Sequence, residues 1–104
     1  MADTKIQNED IAKAINAFSQ NKFDEAETIC MNLLKKDDNA DANHIIGCLR
    51  MREKKFDESI EYLKKAIHSQ PNNLGFHASL GCAYSSIKDY QKAISSFVTV
   101  IKAD

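Results

Sequence analysis

A glycine at residue 47 recurs at residue 81, and its neighbours recur with it. The same step of 34 residues carries Ile46 to Leu80, Phe56 to Tyr90, Ile60 to Ile94, Leu63 to Phe97 and Ala66 to Val100. A step of 33 reaches back to an earlier copy, from Phe56 to Phe23, Ser59 to Ala26 and Ile67 to Leu34; KFDEAETI and KFDESIEY make it visible by eye. Units this short leave an apolar side for a neighbour, so they must stack and share a core.

Each unit reads as two helices. In the middle one, Ile45, Ile46 and Leu49, and then Phe56, Ile60, Leu63, Ala66 and Ile67, fall at the i, i+3, i+4, i+7 spacings of a helix face. The polar REKK between them reads as a turn. SQPNN closes the unit, since Pro71 cannot continue a helix and Asn72 or Asn73 can cap the next. DDNAD lacks the glycine and terminal glutamate of a calcium loop and reads as another helix cap. Thr4 and Gln7 have the spacing of a capping box. With three Gly and one Pro, the chain has little material for the frequent turns of an all-β fold. The expected fold is all-α, with three helical hairpins at about residues 7–39, 40–73 and 74–104.

Glycine inside a helix costs roughly 0.8–1 kcal/mol relative to alanine. The expected compensation is close approach of the two helices of a hairpin, with Gly47 facing Ser59 and Gly81 facing Ala93. On this reading both glycines are structural, leucine at Gly81 overpacks the hairpin, and alanine there is far milder.

Several function classes find no support. The net charge of −1 lacks the excess of positive charge typical of a nucleic-acid binder. No apolar run approaches the ~18 residues of a membrane span, and MADTKIQNED has neither the basic nor the apolar part of a secretion signal. Cys30, Cys48 and Cys82 are odd in number and form no CxxC pair, which suits reduced thiols and a cytoplasmic setting. There is no glycine-rich phosphate loop or nucleophile elbow, so no enzyme and no cofactor are expected.

At this point the residues resemble the tetratricopeptide repeat, a 34-residue unit with the pattern W-x2-L-G-x2-Y, then A-x3-F, then P. The third unit supplies Leu80, Gly81, Tyr84, Ala93 and Phe97, with His77 in the Trp slot. The second supplies Ile46, Gly47, Ser59, Leu63 and Pro71, with Asn43 in the Trp slot and Arg50 in the Tyr slot. The first is degenerate, with Ala14 in the glycine slot and Asp38 in place of proline. The first two units, NADANHIIGCL above all, are also similar to the amino-terminal repeats of some bacterial glycosyltransferases and sulfotransferases.

The resemblance implies an α-solenoid, a right-handed superhelix whose first helices line a concave groove for a protein or peptide partner. The residues expected to line it are Ile11, Ile15 and Phe18; His44, Cys48, Met51 and Arg52; and Ala78, Cys82 and Ser85. Ile11, Ile15 and Phe18 have a second reading, as packing against the middle unit. A branch of the family grips the acidic carboxyl terminus of chaperones with Lys, Asn and Arg; the matching slots here are Ile11, Ile15, Ile45, Gly75 and Ser79, so that partner is not expected. His44, Cys48 and Cys82 would need favourable rotamers and a fourth ligand to hold zinc, and no metal is expected. A Cys48–Cys82 disulfide is not expected either. The groove therefore reads as a scaffold surface for a partner. The alternative is the non-catalytic repeat region of a larger glycosyl- or sulfotransferase, presenting substrate or mediating dimerisation. At the carboxyl end Phe97, Val98 and Ile101 have no following unit, so an uncapped or truncated edge, open to self-association, is expected.

Overall fold

A computed structural model describes residues 2–103, and side chains for residues 8–103. Its six helices among the described residues are α1 (Ala2–Ser19), α2 (Phe23–Leu34), α3 (Ala40–Arg52), α4 (Phe56–Ser69), α5 (Leu74–Ser86) and α6 (Tyr90–Lys102). They pair as α1/α2, α3/α4 and α5/α6. Helix α1 is already running at Thr4 and Gln7, whose side chains lie outside the described residues, so the capping-box expectation is untested there.

The repeat is written into the turns more sharply than into the helices. Among the described residues, Asn21, Lys54 and Lys88 are the non-glycine residues with positive φ, at 63°, 63° and 65°. They are separated by the same 33- and 34-residue steps as the apolar positions. At each, the chain closes the first helix with a left-handed residue and a long return bond: Lys22 N–H to Ala17 O at 2.8 Å, Lys55 to Arg50 at 2.8 Å and Asp89 to Tyr84 at 3.0 Å. This is the Schellman arrangement, which satisfies carbonyls that a helix end leaves orphaned. The second helices of the first two hairpins open with acids, Asp24 and Glu25 in α2 and Asp57 and Glu58 in α4. Acids there complement the positive end of the helix dipole. Between hairpins, Asn39 caps α3 through Ala42 N–H at 2.9 Å and Asn73 caps α5 through Phe76 N–H at 3.3 Å.

Packing follows the chain. Each helix lies against its neighbours in sequence, and the first helices also touch one another, α1 with α3 and α3 with α5. Among the described residues the backbones of the second helices stay farther apart, with no Cα atoms within 8 Å of each other. Inner helices in contact and outer helices apart make a curved row with α1, α3 and α5 on its inner side. The core runs along this row in clusters, with Ala40, Ala66 and Phe76 forming one between the second and third hairpins. One cluster joins α1 to α3 through Ile11, Ala14, Ala17, Ala26, Cys30, Leu33, Ile45, Ile46 and Leu49, and a second joins α4 to α6 through Ile60, Leu63, Leu80, Ala83, Tyr84 and Ala93.

The glycines sit at close helix approaches, Gly47 against Ser59 as expected and also Leu63, and Gly81 against Phe97, one turn beyond the expected Ala93. A β-carbon on Gly47 would meet Leu63 Cγ and Cδ2 at 2.9 Å, with the Ser59 carbonyl at 3.3 Å. On Gly81 it would meet the Phe97 ring at 2.6 to 2.9 Å, so Phe97 rather than Ala93 is its partner. Helical side chains lean toward the N-terminus of their own helix, so a residue covers the turn preceding its own Cα.

Candidate functional site

On the inner side, α1 and α3 leave a hollow of about 230 Å³ lined by Ile15, Phe18, Ser19, His44, Ile45 and Cys48. Its walls are apolar except for Ser19 and the His44–Cys48 pair. Ile15 is 49% exposed, a large aliphatic side chain left in solvent at the rim. The floor is fixed by the core beneath, because Ile45 is buried with Ile11 and Ala14.

His44 ties this hollow to the next hairpin. Its Nε2 lies 2.8 Å from Ser79 Oγ on α5 and 3.6 Å from Cys48 Sγ, and its ring rests 4.7 Å from that of Phe76. Burial holds the imidazole below its ordinary pKa, against the opposing pull of Asp41. Burial also pushes the Cys48 thiol up, opposed by a hydrogen bond with Ser79 and reinforced by Cys82. A thiol held protonated is a poor nucleophile and a poor metal ligand. Among the described residues no group of three or more His, Cys, Asp or Glu is placed to hold a metal ion.

The structure brings Ile15, Phe18, His44 and Cys48 together. Ala78 is half-buried farther along the same side, and Cys82 and Ser85 are exposed on α5. Three residues expected in the groove are used elsewhere. Ile11 is buried in the core at 9% exposure, packed among α2 and α3 side chains. Met51 packs against the α4–α6 cluster, because the passage of α5 covers that side of α3. Arg52 stacks over Phe23, its guanidinium carbon 3.9 Å from the ring centroid, and Phe23 meets Phe18 edge-on at 5.4 Å.

Two participants, Ser79 and Phe76, were absent from the sequence reading of the groove, and Arg50 was read only as a departure from the repeat pattern. Ser79 and Phe76 lie on α5, either side of the position one repeat beyond His44, a relationship that only stacking of hairpins reveals. Arg50 carried a usable signal, an arginine in a slot where the repeat pattern has tyrosine. Only 12% exposed, it presents both terminal nitrogens to Glu27 on α2 at 3.1 Å, with Glu53 at 3.4 Å and Glu58 at 3.6 Å. Both arginines of α3 are thus engaged within the protein, and neither is aimed into the hollow.

Known proteins are similar to this chain in sequence or in fold. The human protein O-mannosyl-transferase TMTC3 is 28% identical over 90 residues, which are 85% of this chain and 10% of that protein. The O-GlcNAc transferase of Thermobaculum terrenum superposes over 98% of this chain and 20% of its own, with TM-score 0.92 and 19% identity. The second repeat domain of Spaghetti (RPAP3), solved with the HSP90 peptide SRMEEVD, superposes over 94% of this chain and 86% of its own, with TM-score 0.85 and 16% identity. The present chain therefore spans about a tenth of the one relative and a fifth of the other transferase. The family model described as tetratricopeptide repeat matches residues 40–73 and 74–104, well over half of the chain. With that match, the recurring left-handed turns and the glycine-centred hairpins, the chain belongs to the tetratricopeptide-repeat family.

Proposed function

We propose that this array is a protein-interaction scaffold whose inner hollow between α1 and α3 receives an apolar side chain of a peptide or helix. The observation that carries the reading is Ile15, half in solvent at the rim of an apolar hollow rigidly backed by the core. A folded surface that holds a large aliphatic residue beside a concavity suits apolar anchoring. Tetratricopeptide repeats are in general protein–protein interaction modules, which agrees with it. The anchor is aliphatic or aromatic rather than acidic: Arg50 and Arg52 are taken up by Glu27 and Phe23, and the clamp slots hold Ile11, Ile15, Ile45, Gly75 and Ser79. The reading is of binding rather than catalysis, and burial that pushes the Cys48 thiol beside His44 up agrees with it. Three free thiols suit a reducing compartment such as the cytoplasm.

The test is selection of a displayed random peptide library on the folded chain. Enriched peptides are expected to share one Leu, Ile, Phe or Met anchor and to lose at least about tenfold in affinity against Ile15→Glu, while Glu61→Ala/Lys65→Ala on α4 leaves binding unchanged. Acidic peptides that bind both variants equally would contradict the reading.

A second reading is favoured by the two transferases among the similar proteins. There the array is the non-catalytic repeat region of a larger glycosyl- or sulfotransferase, and the same hollow presents protein substrate or mediates dimerisation. The full-length coding sequence discriminates between the two, because a catalytic domain beyond Asp104 selects the second.

A further inference from the structure

Arg52 stacks on Phe23 where the repeat itself does not require an arginine. One repeat on, the matching positions are Ser86 and Phe56, so the α4–α5 junction forms with a serine in that place. Stacking also leaves most of the guanidinium's chemistry free. It uses the flat face, while the five N–H donors lie around the edge. Arg50, two residues earlier, is paired with Glu27, Glu53 and Glu58. Arg52 is exposed, and among the described residues it makes no ion pair and no hydrogen bond. The Phe23 ring beneath fixes its position, 3.9 Å from the guanidinium carbon, and meets Phe18 of the hollow edge-on at 5.4 Å. No acid lines the hollow. An oriented guanidinium with no counter-ion thus stands beside an apolar depression.

We propose that, with a partner's apolar anchor in the hollow as proposed above, Arg52 binds an Asp or Glu side chain of the same segment. Charge complementarity names the group. A guanidinium held in plane by a ring presents two parallel N–H donors to a carboxylate, and the charge assists both bonds. The two ring contacts set the reach. An extended chain advances about 3.3 Å per residue, so the acid falls within about three residues of the anchor. The hollow and Arg52 therefore read a pair of residues, one apolar and one acidic. Arg52 is separate from the slots where a chaperone-binding clamp would grip a chain terminus, which hold Ile11, Ile15, Ile45, Gly75 and Ser79 here.

Two selections from a random peptide library test this, one on the wild-type chain and one on Arg52→Gln, after circular dichroism shows both folded. The library is displayed with its carboxyl ends fused to the carrier, so that side chains supply every carboxylate. Peptides from the wild type are expected to carry Asp or Glu within about three residues of the apolar anchor. Those from Arg52→Gln should keep the anchor and lose the acid. In a wild-type-selected peptide, replacing the acid by its amide should weaken binding at least about fivefold to the wild type and leave binding to Arg52→Gln unchanged. Anchored peptides with no enrichment in acid, or with the same enrichment on Arg52→Gln, would overturn the carboxylate subsite and leave the hollow reading standing. Acidic peptides that need Arg52 but bind Ile15→Glu unchanged would support the subsite and overturn the hollow reading. No enriched peptide on either chain would overturn both.

Discussion

A methyl group added at Gly81 would lie 2.6 Å from Cε1 and 2.8 Å from Cζ of Phe97. The ring occupies the space that a β-carbon needs, so even alanine, which the sequence suggested would be mild, forces it to move. Overpacking of this kind costs about 1–3 kcal/mol, and the helix-propensity gain of alanine returns at most about 1 kcal/mol. Gly81→Ala is therefore expected to destabilise by about 1 kcal/mol in urea unfolding. In a Phe97→Leu background, which copies the Gly47–Leu63 pair of the preceding repeat, the penalty should shrink or reverse. An equal penalty in both backgrounds would show that the ring is not its cause.

Ser59 is wholly buried and its hydroxyl has no hydrogen-bond partner, while the same slot holds Ala26 in the first hairpin and Ala93 in the third. An unsatisfied buried hydroxyl costs on the order of 1 kcal/mol or more. Ser59→Ala should therefore stabilise the protein by about 1 kcal/mol. A loss of stability would mean that the hydroxyl is satisfied in solution.

Arg50 and Glu27 join the first two hairpins through two charge-assisted bonds. The arginine holds the Glu27 carboxyl below its ordinary value of 4.5, partly offset by burial. Glu27 is about a third exposed, so the coupling is set by solvent screening and should be about 1 kcal/mol in a cycle of Arg50→Met and Glu27→Gln. A depressed carboxylate pKa adds stability above the unfolded value and loses it as pH falls through the folded one. The cost of Glu27→Gln should thus be full at pH 7 and fade below about pH 4.5. A cost that persists unchanged at pH 2 would point to packing instead of charge.

How much of this was legible in the sequence depends on the scale at which a residue acts. The period, the helix pairs and the caps at Asn39 and Asn73 follow from local spacing and turn chemistry. Ser59 does lie against Gly47, but Leu63 and Phe97, one turn farther on, are the closer partners of the two glycines because the lean of helical side chains was not included. At the carboxyl edge Phe97 was expected bare, yet it packs over Gly81 and into the α4–α6 cluster, leaving Tyr90, Ile94 and Ile101 as the exposed stripe. Arg52 and Met51 sit on the expected helix, but the ring of Phe23 and the path of α5 decide where their side chains go. Contacts between hairpins, such as His44 with Ser79, depend on stacking geometry that no single unit encodes.

His44 gives that stacking a pH signature. Its folded pKa lies below the ordinary 6.5, so the folded state favours the neutral ring and the unfolded state binds the proton more readily. Stability should decline as pH falls below about 6.5 and level once the folded pKa is passed. His44→Gln should flatten the change between pH 7.5 and 5.5 in thermal unfolding. A wild-type profile that rises toward acid across this window would reverse the assigned sign.

The central claim is that the inner side of the row of first helices binds a partner's apolar anchor. Amide and methyl shift mapping by NMR, with the isotope-labelled chain titrated by a library-selected peptide, tests it most directly. Changes are expected to concentrate at Ile15, Phe18, His44 and Cys48, with Glu61, Lys64 and Lys65 of α4 unmoved. Shifts confined to α2 and α4, with the hollow silent, would contradict it.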